Sequence, residues 1–251
     1  MKKFQLEESN YSLKPVKFDC DNILGDHIKE PFPDKSFFLM IVGKAGSGKT
    51  SLLINMINEK GSNRIYKNCF DKILLVMPKN SRSSIKDNIF DDLPEDQTFE
   101  EFTYDVIDKV KETREEFDTL EIEDKNKKRK KKNRNQLLIL DDITATLKNI
   151  TIQKSLVELC TNRRHYKLSI ILLVQYLRAV PRPVRFQVTD LIFFKPSNRI
   201  DAKIIEEEYI NLKKDDYDDL TRFVWQTSHD FLFVKKSDES YYKNLNKIIL
   251  T

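Results

Sequence analysis

Glycine is scarce in this 251-residue chain, five in all, and three of the five fall within six residues, at Gly43, Gly46 and Gly48. A chain that spends glycine so sparingly has placed it where the backbone must come close to something. Residues 43–50 read Gly-Lys-Ala-Gly-Ser-Gly-Lys-Thr, a complete G-x-x-x-x-G-K-[ST] pattern. Ahead of it runs Phe37-Phe38-Leu39-Met40-Ile41-Val42, an unbroken apolar stretch of the kind that forms a parallel strand buried on both faces. Behind it Leu52, Leu53, Met56 and Ile57 recur at helical spacing, and Gly61 stands where that helix should end. Strand, loop and helix in this order make a phosphate cradle. Successive backbone N–H groups curl around a polyphosphate, and the helix N-terminus adds its partial positive charge. Lys44, Ala45, Ser47 and Ser51 complete the lining with the glycines. Lys49 is expected to reach the β- and γ-phosphates, and the Thr50 hydroxyl to ligate Mg²⁺. The alternative, a glycine-rich turn with no ligand, is disfavoured by the register of both flanks.

Further apolar runs predict an α/β sheet. Ile73-Leu74-Leu75-Val76-Met77 stops at Pro78, and Leu137-Leu138-Ile139-Leu140 runs into Asp141-Asp142. Carboxylates at the C-terminal end of a parallel strand sit in the crevice where such sheets bind ligands. Asp141 suits a Mg²⁺ ligand and Asp142 a base that polarises water; a solvated pair at a strand end is the plainer reading. Ser169 to Val174 form another strand ending at Gln175, with a helix marked by Ile152, Leu156, Val157 and Cys160 in between. Gln175 is placed to sense a γ-phosphate or to be an ordinary strand-terminal amide. Arg163 and Arg164 stand just before that strand. They read equally as an arginine finger for a neighbouring subunit and as a pair capping the preceding helix. Asp190 to Phe194 make a fifth strand.

Composition removes several classes. Charged residues are 33% and apolar ones 39% of the chain, and no stretch nears the ~20 apolar residues of a membrane span. The acid-interrupted N-terminus is not a secretory signal. Three scattered cysteines and three distant histidines argue against a disulfide scaffold and a zinc site. Eight basic residues between Lys125 and Arg134 meet no acid, and without them the net charge of +4 becomes −4. Any nucleic-acid contact is therefore local. The basic stretch itself admits three readings: a solvated insertion, a DNA-phosphate contact, or a nuclear-localisation signal.

Taken together, GKAGSGKT at 43–50, ILLVMP at 73–78, LLILDD at 137–142 and RRHYKLSIILLVQ at 163–175 resemble one family. It comprises the DNA-packaging ATPases of large eukaryotic DNA viruses, virophages and Polinton-type elements, within the FtsK/HerA superfamily. The resemblance covers about residues 36–235; the discriminating piece is Arg164-His165-Tyr166 leading to Gln175. It implies an additional-strand P-loop fold, ATP with Mg²⁺, a ring of five or six subunits, and translocation of double-stranded DNA into a capsid. Capsid or portal-vertex proteins are the implied further partners. The implied location is the host cytoplasm, with the virion and the nucleus left open. By position, Asp141 matches the magnesium carboxylate, Asp142 the catalytic acid, Gln175 the strand-end sensor and Arg164 the finger. Many superfamily members carry Glu where this chain has the shorter Asp142. A small P-loop kinase and a nucleotide-dependent assembly scaffold are the rival functions.

The remaining expectations are structural. Residues 1–35, with Pro15, Pro31 and Pro33, read as an arm, residues 36–235 as the ATPase domain, and 236–251 as a docking tail or frayed end. Phe99, Phe102, Val106 and Val110 suggest a helix, followed by a charge-rich stretch through Leu120. Ile200, Ile204 and Ile205 suggest another helix. Arg222–Gln226 and Asp230–Lys235 read as a hairpin extending the sheet around Thr227-Ser228-His229. Trp225 is assigned to the core, and His229 receives no catalytic role.

Overall fold

A computed structural model describes residues 23–58, 65–86, 88–127 and 134–249. The chain runs β1 (Phe38–Val42), α1 (Lys49–Ile57), β2 (Lys72–Val76), α2 (Lys79–Ser83), β3 (Thr98–Phe99), α3 (Tyr104–Asn126), β4 (Gln136–Asp141) and α4 (Ile150–Asn162). It continues through β5 (Leu168–Val174), α5 (Arg182–Arg185), β6 (Asp190–Phe194), α6 (Arg199–Tyr209), α7 (Lys214–Val224), β7 (Phe231–Lys235), β8 (Ser240–Lys243) and β9 (Asn246–Lys247). All nine strands form one sheet in the order β3-β2-β4-β5-β1-β6-β7-β8-β9. Neighbours from β3 to β6 pair in parallel, and β7, β8 and β9 add an antiparallel extension.

The apolar runs are continuous because helices cover both faces of the parallel strands. In β1, Phe38, Met40 and Val42 face a core shared with α3, α4, α6 and α7, while Leu39 and Ile41 face a second core with Leu53 and Met56 of α1. With β1 between β5 and β6 and the loop after it leaving the C-terminal edge, the cradle is fixed at the middle of the sheet. Trp225 is buried, and its indole N–H donates to the Phe193 carbonyl at 3.1 Å.

Several local expectations are corrected. Phe99 belongs to β3, paired with Val76, and the helix begins five residues later behind Thr103. That helix runs on through the charged stretch to Asn126, because Thr113 and Phe117 continue its buried stripe. Farther along, Glu121 pairs with Lys167, and Asp124 accepts from Arg134 at 2.7 Å. Lys125 is therefore helical and Arg134 is anchored; Lys128 to Lys132 lie outside the described residues, as do Gly61 and Pro15. Residues 222–224 end α7 instead of forming a strand, since Tyr217, Leu220 and Val224 share its buried face. The hairpin is β7–β8, so Tyr241 and Tyr242 are buried sheet residues, and the reading of a frayed or docking tail fails for them. Within the arm, Leu24 and Phe32 pack into the second core, with the Phe32 ring edge-on to Phe233.

A buried charged pair helps to tie segment 175–189 to α6. Buried Arg185 donates from Nε and Nη2 to Glu208 of α6 at 3.0 and 2.8 Å, and from Nη1 to the Val180 carbonyl at 2.7 Å. Glu208→Ala leaves that cation unpaired, an expected loss of about 3 kcal/mol. Thermal unfolding should show it as a midpoint lowered by roughly 6–12 °C, and an unchanged midpoint would refute the anchor.

Candidate active site

The cradle begins while the strand ladder is still intact: the Gly43 amide donates to the Val174 carbonyl at 3.1 Å. A Cβ on Gly43 would stand 2.5 Å from Ser47 Oγ and 2.8 Å from Phe194 Cβ, so no side chain fits there. Gly48 takes φ 106°, a left-handed value open to glycine, and begins α1 with no side-chain cap. The first amides of α1 are thus left for a ligand, as helix N-termini leave them. Gly46, at φ 73°, faces open space.

Lys49 folds over the loop, its Nζ donating to the Gly43 carbonyl at 2.6 Å and the Lys44 carbonyl at 3.1 Å. Burial pushes its pKa down, while Asp141 and Asp142 pull it back up. Asp141 ends β4. Burial raises its pKa to about 6, with the Lys49 cation opposing and the Asp142 carboxylate adding to the rise. Asp142 is exposed and sits at φ 56°, a left-handed conformation that Asp tolerates better than longer or branched side chains. Gln175 follows β5 directly. These groups open on one cleft of about 500 Å³, lined by Gly46, Lys49, Thr50, Asp141, Asp142 and Gln175 on one side. Ser81 of α2, with Ser84 and Lys86 just beyond that helix, lines the other. A larger groove of about 810 Å³ between α7 and β8–β9 includes Leu220, Phe223 and Ile248 and none of these groups.

Five of the expected chemical groups therefore converge: Lys49, Thr50, Asp141, Asp142 and Gln175. Lys44, Ala45 and Ser51 are exposed around them, and Ser47 is buried under the loop. The arginines do not converge. Arg163 and Arg164 precede the N-terminal end of β5, whereas Gln175 follows its C-terminal end. That strand spans about 20 Å. Arg163 Nη1 donates to the Cys160 carbonyl at 2.9 Å, capping α4, and Arg164 is exposed. Two groups escaped the sequence. Phe194 packs beneath Gly43, and His229 Nδ1 lies 3.1 Å from the Ser47 carbonyl. No local pattern marks either, because both contacts join segments remote in sequence.

A central parallel sheet, a phosphate loop after its middle strand β1, and paired carboxylates at the end of β4, with β5 between the two, define a P-loop ATPase. The sequence profile of the family described as poxvirus A32 protein matches residues 27–226, and the chain belongs to that family. No curated protein sequence matches it directly. Among solved structures it is similar to the DNA-packaging ATPase B204 of Sulfolobus turreted icosahedral virus, at 15% identity and TM-score 0.55, covering 84% of this chain and 97% of that one. The genome packaging NTPase B204 of Sulfolobus turreted icosahedral virus 2, in complex with ATP-γS, gives 13% and 0.52 over 85% and 98%. ATPases 2 and 3 of EssC from Geobacillus thermodenitrificans give 13% and 0.55 over 84% and 39%. At such identities the likeness concerns the fold. Among the described residues no helix is long and apolar enough to cross a membrane.

Proposed function

We infer that this protein is an ATP-hydrolysing motor that drives double-stranded DNA into a viral capsid. The carrying observation is the convergence of Lys49, Asp141, Asp142 and Gln175 on one cleft in a chain of the poxvirus A32 family. Solved packaging ATPases of the same fold support the reading.

The donor set fits Mg²⁺, which takes one or two carboxylates with substrate phosphates and keeps several waters. Thr50 and Asp141 would hold it, and Asp141 is a desolvated carboxylate suited to a cation. Bound there, the ion neutralises charge on the phosphates. This chain supplies the rest. Backbone amides of residues 46–50 hold the phosphates and Lys49 adds a cation to them. Asp142 orients and deprotonates the attacking water, and Gln175 reports the γ-phosphate to segment 176–189.

Arg163 and Arg164 lie beyond the N-terminal end of β5, away from their own cleft, so a finger from either acts on a neighbour's site. Arg164 of a neighbouring subunit fills that role in a ring of five or six, acting on DNA with capsid or portal proteins in the host cytoplasm. Arg164→Ala should lower kcat by about 10³-fold while nucleotide affinity holds. Mixing it with Lys49→Ala subunits should restore turnover, since one supplies an intact cradle and the other an intact finger; absence of rescue overturns the shared site. Wild-type hydrolysis should rise cooperatively with protein concentration and with long duplex DNA, and the DNA effect should fade as salt rises. Hydrolysis indifferent to both refutes the motor.

A further inference from the structure

We propose that His229 is a positioning residue for the phosphate cradle, holding the Ser47–Gly48 peptide so that the Gly48 N–H faces the nucleotide's β- and γ-phosphates. The inference rests on the ATPase reading of the cleft and adds to it a contribution from the antiparallel end of the sheet.

The contact is between His229 Nδ1 and the Ser47 carbonyl, 3.1 Å apart and 182 residues apart in sequence. A carbonyl oxygen only accepts, so Nδ1 carries the proton and donates. In a planar trans peptide the C=O and the following N–H point in opposite directions. Fixing the Ser47 carbonyl against His229 therefore turns the Gly48 N–H away from the ring. Among the described residues that N–H donates to no protein acceptor. Gly48, at φ 106°, has no side chain to restrict the plane, so an external grip is what can fix it. The ring stands against the same residue: a Cβ on Gly48 would lie 3.6 Å from His229 Nδ1 and 3.7 Å from Phe194 Cε1.

The turn that presents His229 is built to hold still. Asp230 Oδ2 accepts from the backbone amides of Thr227 at 2.7 Å and Gln226 at 3.2 Å, and Oδ1 accepts from Asn244 Nδ2 at 3.1 Å. Asn244, itself at φ 55°, returns a bond by accepting from the Phe231 amide at 3.0 Å. Lys243 Nζ donates to Gln226 Oε1 at 2.7 Å and to the Phe223 carbonyl at 2.9 Å. The Phe231 ring packs on Phe194, centroids 5.5 Å apart, beneath the loop. Residues of β7 and β8 and the end of α7 thus converge on a turn whose exposed histidine contacts the loop that binds phosphate. The ordering cost of the Ser47–Gly48 plane is met before nucleotide arrives, which is how preorganisation raises affinity.

The test is a donor-geometry series in the full chain: His229→Ala, His229→Phe, His229→Asn and His229→Gln. The amide nitrogen of Asn falls at the position of Nδ1, and that of Gln at the position of Nε2. Affinities for a non-hydrolysable ATP analogue, for ADP and for AMP are measured without DNA, beside thermal midpoints and steady-state hydrolysis. Ala, Phe and Gln should weaken the ATP analogue and ADP by about fivefold, the weight of one hydrogen bond, and leave AMP affinity unchanged. Asn should recover to within about twofold. KM should rise with kcat held, the mark of uniform binding. Unchanged affinity in His229→Ala overturns the proposal. So does an Asn variant no better than Phe, or an equal loss for AMP, which would make His229 a base contact. Failure of the ATPase reading looks different: the wild type itself then binds no ATP analogue, and Lys49→Ala changes nothing.

Discussion

Lys49→Ala is expected to lower ATP turnover by about 10³-fold or more and to leave the fold in place. The lysine is a cation within reach of both carboxylates in the cleft, as their pull on its pKa shows. In phosphoryl transfer the protein mainly positions groups and stabilises charge, so removing a preorganised cation costs several kcal/mol of transition-state stabilisation. Affinity for ATP should fall with turnover, because the same ammonium contacts the ground-state phosphates. The fold has little stake in it. Nζ donates to two loop carbonyls, Gly43 and Lys44, and burial disfavours its charged form. The midpoint of thermal unfolding without nucleotide should thus stay within a few degrees of wild type. Retained turnover at that midpoint would remove the cleft from consideration as the hydrolytic site.

What the sequence displayed and what it concealed follow from the range of the interactions involved. The phosphate loop was readable because its chemistry needs contiguous residues between a strand and a helix. Strands β1, β2, β4, β5 and β6 were readable because burial on both faces forces continuous apolar runs. Asp141, Asp142 and Gln175 inherited their places from strand ends. Where packing overrides local preference the reading failed. Arg222–Gln226 holds Phe, Val and Trp, good strand formers, yet residues 222–224 complete α7, because Tyr217, Leu220 and Val224 fall on one buried helical face. Phe99 keeps helical spacing with Phe102 and Val106 but pairs with Val76 in β3. The far end of α3 shows almost no apolar period and is held by ion pairs to Lys167 and Arg134, partners invisible without the fold. The left-handed backbone at Asp142 has no sequence signature beyond the residue's tolerance of it.

Asp141→Asn should stabilise the nucleotide- and metal-free protein while stopping hydrolysis, two effects of opposite sign from one group. Burial is the largest cause of the raised pKa of Asp141, about 6 against an ordinary 3.8. A carboxyl whose pKa is higher folded than unfolded favours the folded state when protonated. That contribution is complete below the unfolded pKa and is lost as pH rises through the window from about 4 to 6. Above it the folded protein bears an ionised, desolvated carboxylate, at a cost of about 3 kcal/mol. The amide is neutral and nearly isosteric, so it escapes the cost. In chelator at pH 7.5 the variant should unfold roughly 6–10 °C above wild type, and at pH 4 the two should nearly coincide. Hydrolysis should fall by at least about 10²-fold through loss of a metal carboxylate, and Mg²⁺ with ATP should stabilise the wild type more than the variant. An Asn variant less stable than wild type at pH 7.5 would mean that the ionised carboxylate holds the loop together. A stable but inactive variant would show the reverse: the fold carries Asp141 at a cost that only the bound nucleotide and its metal ion relieve.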